Sequence, residues 1–340
     1  MLLDASEIAR AFGVGRPLGV LRPLSNGDHP SSTCVLDTDR GRWVVKTSRL
    51  HGDWQRSQAR ESHRLESAAL AAGIAMPRPV EPPSPAVGYW HNPSGADLVR
   101  VTEWVDGHDL RRSGGAASAA SLPDAAQWVG STLARIALLG LNSDGDDTGR
   151  KPLHSMDDWR AWIAEAEAGT HPVARPARSL LPIIEDATTL IGQAERNRPP
   201  LVPVHADISQ ANVLRTPDGY VLIDWDGTGR EVPWWETVSV AFRFTTPFNG
   251  PMAEGDARVV RPLIDAYLAE GGPAGAPDIS AFAGMLRSQL AVTAWSLWLA
   301  LGHRQADAAQ RAFGLRIVTT ASHDLPQVLR SLDRWTGLLR

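Results

Sequence analysis

The chain has 340 residues, 43% of them hydrophobic and 21% charged, with a formal net charge of −4. That length supports a core divided between two lobes, and the small net charge gives no footing for a nucleic-acid or membrane-surface role. No run of 18 apolar residues appears, residues 1–7 lack the basic start and apolar stretch of a signal peptide, and the single Cys34 excludes an internal disulfide, so a cytoplasmic protein is expected, with Cys34 as a small buried residue.

In chain order, residues 19–24, 32–38 and 42–47 read as strands, the last two joined by the turn Thr38-Asp39-Arg40-Gly41. Between the first two, the small polar loop beginning at Ser25 suits the approach of backbone N–H groups to phosphates, although an ordinary surface hairpin reads equally well there. A helix over 58–72 carries Glu61 and Glu66 and is closed by Gly73. A strand over 97–105 follows, ended by Asp106-Gly107, and the lobe boundary is placed there: residues 1–105 as a β-rich lobe and 106–340 as a larger helical lobe. Helices are expected over 123–141, 156–168, 180–196, 233–242, 255–269, 279–303 and 307–332. No internal repeat is visible.

The segment between the third and fourth of these helices carries the chemistry. His205-Ala206-Asp207 is followed by Asn212 five residues after Asp207 and, across a short hairpin, by Asp224-Trp225-Asp226. Residues 212–215 and 220–223 are the two strands, and Thr216-Pro217-Asp218-Gly219 is the turn. The hairpin brings Asn212 beside Asp224, as two ligands of one cation require, while Asp207 supplies a carboxylate to orient or deprotonate a hydroxyl. The pattern points to phosphoryl transfer. Competing motifs are poor: residues 13–19 lack a preceding strand for a dinucleotide loop, Val45 stands where a P-loop needs glycine, and the ten histidines are scattered.

Of the 34 basic residues only Lys46 and Lys151 are lysines. In an arginine-dominated chain a lysine is either incidental or marks a slot for a compact ammonium. Lys46 sits on an evident strand; Lys151, in a polar connection, reads as solvated surface.

With Lys46, Glu61, the segment Glu103-Trp104-Val105-Asp106-Gly107 and the stretch from His205 to Asp224 in register, the chain resembles the aminoglycoside phosphotransferase and choline kinase-like superfamily. The resemblance runs from about Leu21 to Phe242. It implies an α+β, protein-kinase-like two-lobe fold, ATP or GTP as co-substrate and Mg²⁺ as cofactor. It also implies roles: Lys46 on the α/β-phosphates and paired with Glu61 (Glu66 as the alternative), and the backbone of Glu103, Trp104 and Val105 against the nucleobase, beside the Ser25 loop read above as the phosphate-facing candidate. Asp207 becomes the catalytic carboxylate, His205 a brace for its loop, and Asn212 and Asp224 the metal ligands.

There are departures. Ala206 stands where glycine is frequent, Ser209 where protein Ser/Thr kinases carry lysine, and Pro233 follows Asp224 after only nine residues, with no long activation segment. These favour a small hydroxylated acceptor over a protein. After Asp226 the chain has ten acidic residues and eleven arginines, too balanced for a site built around a polycation. Asp226, Trp234, Trp235 and Glu236 are the substrate candidates, the two tryptophans because they follow the metal segment closely. An antibiotic or related natural product is the expected acceptor. A metabolic kinase for a sugar, amino sugar or amino alcohol is the alternative, and a non-catalytic nucleotide-binding module is disfavoured by the intact set Lys46, Asp207, Asn212 and Asp224. Oligomeric state is not legible.

Overall fold

The computed structural model describes residues 4–24, 32–50, 52–93, 97–111, 116–141, 149–245, 255–303 and 306–340. The Ser25 loop lies outside the described residues. The chain divides into two compact units, Met1–Asp109 with Asn212–Gly229, and Leu110–Ala211 with Arg230–Arg340. The sequence boundary at 105/106 falls four residues short of this division. The hairpin, expected with the helical lobe, belongs to the first unit because it pairs with a strand just before the boundary.

The first unit opens with helix α1 (Ala5–Phe12), which the sequence reading did not foresee. Asp4 and Glu7 form a reciprocal capping box at its start, and Gly13, in the left-handed region, closes it. Strands β1 (Arg22–Pro23), β2 (Ser32–Thr38) and β3 (Gly41–Arg49) follow, then helix α2 (Asp53–Ala71), β4 (Ala86–Val87), β5 (Trp90–His91), β6 (Asp97–Glu103) and β7 (His108–Asp109). The first six strands make one antiparallel sheet in the order β1-β2-β3-β6-β5-β4. Alternation along the strands sorts its faces. Val45, Val99 and Val101 pack with Leu36 under Ile8, Ala9 and Phe12 of α1. Leu98 faces the other way and packs with Ala59 of α2, Val87 and Trp90. Cys34, on β2, is half-buried rather than buried.

The second unit is mainly helical. It begins with α3 (Ala116–Ala137), α4 (Met156–Ala168), α5 (Ala174–Glu195) and strand β8 (Val202–Val204). The chain then crosses the first unit as β9 (Val213–Thr216) and β10 (Gly219–Leu222), and returns through β11 (Gly229–Glu231) into α6 (Pro233–Phe244), α7 (Ala257–Ala269), α8 (Ala283–Leu301) and α9 (Ala308–Thr336). The helix expected over 279–303 is split: Ile279–Phe282 is a 3-10 turn capped by Asp278, and α8 starts after it. Leu180, Ile184, Phe242, Phe244, Leu263, Leu297 and Val318 are among the buried core of this unit. Gly130 of α3 lies against the Leu263 carbonyl and Gly314 of α9 against the Ser296 carbonyl, approaches with no room for a Cβ. No helix among the described residues is long and apolar enough to cross a membrane.

Candidate active site

In the first unit the hairpin register is Val213↔Leu222 through Thr216↔Gly219, with Gly219 at φ 128 in the turn. β9 also pairs with β7, and the Leu222 N–H donates to the Ala75 carbonyl at 3.0 Å. At the open end the Ile223 N–H donates to the Asn212 carbonyl at 2.9 Å, so Asn212 and Asp224 flank the same ladder position. Asn212 is buried. Asp224 itself adopts a left-handed backbone, φ 69 and ψ 51, and leads into the 3-10 turn Trp225–Gly227. A non-glycine residue in this region is strained by about 1 kcal/mol, and such strain concentrates at functional sites. Trp225 anchors the turn by donating from Nε1 to the Leu222 carbonyl at 3.0 Å, and Ser62 of α2 donates to the Asp226 carbonyl at 3.4 Å.

This turn delivers two carboxylates to Lys46. The Lys46 ammonium pairs with Asp224 and donates to Asp226 Oδ1 at 2.9 Å. Burial and the neighbouring Asp226 charge push Asp224 up to about 8. Asp226 is held well below the ordinary carboxylate range by Lys46 and a hydrogen bond from Asp224, against the opposing pull of burial. Burial and mutual repulsion therefore push the two acids apart in acidity beside one ammonium. Asp226 is thus a partner of Lys46 and not a substrate-facing group, a correction to its expected role: its two-residue offset from Asp224 spans one tight turn, which aims both acids at the same cation.

Glu61 is not brought to Lys46. Its ion pair is with Arg64 at 3.6 Å, whereas Glu66 is buried and pairs with Arg100. Helix phase explains the difference. Ala59, Ser62, Leu65, Glu66 and Ala69 form the buried stripe of α2, and Glu61 stands about 140° round the helix from Glu66. Burial raises Glu66 to about 7, with Arg100 pulling the other way.

In the segment after β6, the Glu103 N–H donates to the Arg78 carbonyl at 2.9 Å and the Trp104 N–H to the Arg42 carbonyl at 3.1 Å, so both amides are already engaged. Trp104 also donates from Nε1 to Asp106 at 2.7 Å beneath the Arg42 guanidinium. A cavity of about 760 Å³ opens here, lined by Leu18, Val20, Arg42, Trp104 and Asp106; Lys46, Asp224 and Asp226 are not among its walls.

In the second unit His205 is fully buried and Ala206 has φ 62, a left-handed conformation that glycine adopts without strain. The left-handed turn throws the Asp207 side chain outward, 54% exposed, with Arg243 Nη1 of α6 at 3.9 Å. The loop is pinned on both sides of Asp207. Lys151 Nζ donates to the Ala206 carbonyl at 3.3 Å, Gln210 Nε2 donates to the Phe244 carbonyl at 2.7 Å, and the Leu110 N–H donates to the Gln210 carbonyl at 3.1 Å. Lys151 is therefore part of this loop's support, not solvated surface. Nothing in its local sequence marks it except its rarity.

The expected substrate residues of α6 are core. Trp234 and Trp235 are 3% and 4% exposed, and Glu236 is also buried. Trp234 Nε1 donates to the Ala276 carbonyl at 3.1 Å and its ring packs near Tyr267. α6 passes through the interior of its unit with nearly every residue covered, so closeness in sequence to the segment ending at Asp226 gives no access to solvent. Two less buried tryptophans lie on α8. Trp295 and Trp298 are half-buried, Val292 is 44% exposed, and Trp298 meets His154 and Trp162 edge-on.

Among the described residues no three His, Cys, Asp or Glu side chains gather as a metal cluster. The fit for a divalent cation rests on Asp224 and Asp226, already brought together around a positive charge, with the amide of Asn212 beside them; hard oxygen donors of this kind suit Mg²⁺.

The sequence matches the profile of the phosphotransferase enzyme family over residues 20–277. No curated protein matches it. Among solved structures, spectinomycin phosphotransferase APH(9)-Ia, in complex with ADP and spectinomycin, superposes with a TM-score of 0.63 at 12% identity, over 96% of this chain and 99% of that one. Amicoumacin kinase hAmiN, in complex with AMP-PNP, Ca²⁺ and its ligand Ami, gives 0.61 at 13% identity, over 94% and 96%. A choline/ethanolamine kinase family protein from Mesorhizobium loti gives 0.58 at 18%, over 99% of both chains. At these identities the likeness is one of fold.

Proposed function

The chain belongs to the phosphotransferase enzyme family and is a small-molecule kinase; from that premise we propose that it transfers the γ-phosphoryl group of ATP, or of GTP, to a hydroxyl of an antibiotic or related natural product in the cytoplasm. The observation that carries this reading is the Lys46 ammonium held between Asp224 and Asp226 at the end of the Asn212 hairpin. A cradle of one lysine and two acids is what a polyphosphate and its counter-cation need. The lysine turns to the phosphates when they arrive, and the acids are released for the cation.

Asp207 acts on the acceptor. Its exposed carboxylate accepts the hydroxyl proton as the new O–P bond forms and the bond from phosphorus to the β-phosphate oxygen breaks, with the nucleoside diphosphate as leaving group. His205 braces the loop from the interior. Mg²⁺, held by Asn212 and Asp224 with Asp226 close by, would supply charge neutralisation on the transferring phosphates. Since the Glu103 and Trp104 amides are engaged, Val105 is the backbone group of that segment left for the nucleobase.

For the acceptor, Arg243 and Lys151 beside Asp207 offset Glu236, so the surroundings of the catalytic carboxylate are not those of a polycation site. A neutral or singly charged molecule with apolar faces suits them better. The experiment is a nucleotide-consumption screen over macrolides, aminoglycosides, amino sugars and amino alcohols, run with the parent and with Asp207→Asn. A parent that turns over one class, and a variant that binds nucleotide but has lost about 100-fold or more in rate, is the expected result. An Asp207→Asn enzyme with parental turnover would remove the assignment.

A further inference from the structure

The chain's two lysines fall one in each unit, and both meet the segments that carry the chemistry. Lys151 precedes α4 in the second unit. Its Nζ donates to Ser288 Oγ of α8 at 2.7 Å and to the Ala206 carbonyl at 3.3 Å. Ala206 is the left-handed residue immediately before Asp207.

We propose that Lys151 is a positioning residue for the catalytic carboxylate: anchored on Ser288, its ammonium holds the Ala206 carbonyl and so fixes the turn that presents Asp207 to the acceptor. The proposal rests on the phosphotransferase reading above. Three observations carry it. First, both direct hydrogen-bond partners of Lys151 are neutral oxygens, so its charge is not spent on an ion pair. Burying an ammonium against neutral partners is unfavourable, and an apolar side chain would serve folding better. Second, the held carbonyl belongs to a strained residue, and a strained turn next to a reactive group persists only where its surroundings over-determine it. Third, lysine is nearly absent from this chain, and a compact three-donor ammonium reaches two oxygens in a narrow space where a guanidinium fork does not.

The charged groups around Lys151 come from every side. Asp207 lies on the loop, Glu231 on β11, and Glu236 and Arg243 on α6. Arg287 of α8 donates to the Lys151 carbonyl at 3.3 Å, and Arg150, its chain neighbour, is neutralised by Glu195 and Glu231 at 2.9 and 2.7 Å. Burial and Arg243 lower the Lys151 pKa, while the acids oppose them. The charge on Lys151 therefore disappears at lower pH than for an ordinary lysine, and the grip on Ala206 weakens with it.

The test compares Lys151→Gln, which keeps a donor but not the charge, with Lys151→Arg, which keeps the charge. Turnover is followed with the best acceptor of the screen, or as ATP hydrolysis with water in its place, alongside nucleotide affinity by calorimetry and amide exchange over residues 205–211. For Lys151→Gln we expect kcat to fall about 10-fold or more, nucleotide affinity to stay parental, and the loop amides to exchange faster; a misplacement of this size at a reactive group carries such a loss. Lys151→Arg recovers part of kcat. The parental kcat profile declines on its alkaline side, and Lys151→Gln lacks that decline. If Lys151→Gln fails to fold, Ser288→Ala, which frees one anchor and keeps the charge, is expected to lose about 3-fold in kcat with faster loop exchange, on the same argument. Parental kcat and parental loop exchange in the variant that folds overturn the proposal. So does a loss of kcat that leaves loop exchange and the alkaline decline unmoved. A parent that neither binds nor consumes nucleotide refutes the kinase reading instead, and the exchange data then decide the loop's support alone.

Discussion

Lys46 of β3 and Arg100 of β6 stand directly opposite one another in the sheet register, so two cations leave the same face side by side. Like charges in that position repel and destabilise a strand pair. Three carboxylates compensate: Glu66 on Arg100, and Asp224 and Asp226 on Lys46. The arrangement separates duties. Arg100 is buried and taken by Glu66, which leaves Lys46 to Asp224 and Asp226.

The Glu66–Arg100 pair makes stability depend on pH. Glu66 is raised to about 7 from 4.5, so the folded state holds its proton more tightly than the unfolded chain. Its contribution is complete below the unfolded value and is lost as pH rises through the folded one. The difference in urea midpoint between the parent and Glu66→Gln should therefore shift between pH 4.5 and 8, with the parent losing ground as pH rises. Parallel midpoint curves across that range would contradict the burial assigned to Glu66.

Lys46→Arg should be nearly as inactive as Lys46→Met. The ammonium fits between two acids aimed at one point, with the Arg100 guanidinium directly across the strand pair. A second guanidinium there adds bulk and a planar fork with nowhere to lie flat. Steady-state turnover of the two variants is the check, and parental activity in Lys46→Arg would show that only the charge matters.

Asp224→Ala should abolish Mg²⁺-dependent nucleotide binding, and Asn212→Ala should weaken it less, since a neutral amide contributes less than a carboxylate to a divalent cation. Calorimetry with and without Mg²⁺ separates the metal-dependent part. Asp226→Asn tests the coupling of the two acids: with one neutralised, Asp224 loses the repulsion that helps to raise it and should titrate lower, visible as a shift in its carboxyl carbon resonance.

What the sequence made legible was local. Asn212 and Asp224 are joined by a single hairpin whose turn residues announce themselves, so their juxtaposition can be read from spacing, with Asp207 five residues before Asn212 in the sequence. Helix α1 is equally local, since Asp4, Glu7 and Gly13 spell both its caps. The misplacements needed tertiary knowledge. Seeing that Glu66 of α2 goes to Arg100 while Lys46 takes Asp224 and Asp226 requires the phase of α2 and the register of the sheet, and Lys151 meets Ser288 and Ala206 across 137 and 55 residues of chain. Trp234 and Trp235 were favoured by nearness to the motif, but which face of a helix meets solvent is decided by what packs on it. α8 shows the limit most plainly: it is apolar on all sides, so its sequence alone does not say which side is left uncovered.

That uncovered side supports the last prediction. Ser288, Val292 and Trp295 follow one another at helical spacing on α8, a stripe about 10 Å long that starts at the Lys151 anchor. Val292 is 44% exposed and Trp295 half-buried, and Trp295 makes no hydrogen bond or ring contact among the described residues. On the proposed function, a stripe beginning beside the Ala206–Asp207 loop would suit the body of an acceptor with a sugar or macrocycle face. Trp295→Ala should therefore raise the acceptor KM about 10-fold, the scale of one lost aromatic contact, with kcat, nucleotide affinity and melting temperature near parental. Trp234→Ala should instead unfold the protein or lower its stability by about 3–5 kcal/mol, as expected for a buried tryptophan truncated to a cavity. Acceptor KM should also change little between low and high salt, because apolar contacts are not screened while those of a polycation are. Kinetics and melting of the two variants, each at both ionic strengths, decide the matter: an acceptor KM that collapses in salt and ignores Trp295 would return the choice to a polycationic substrate.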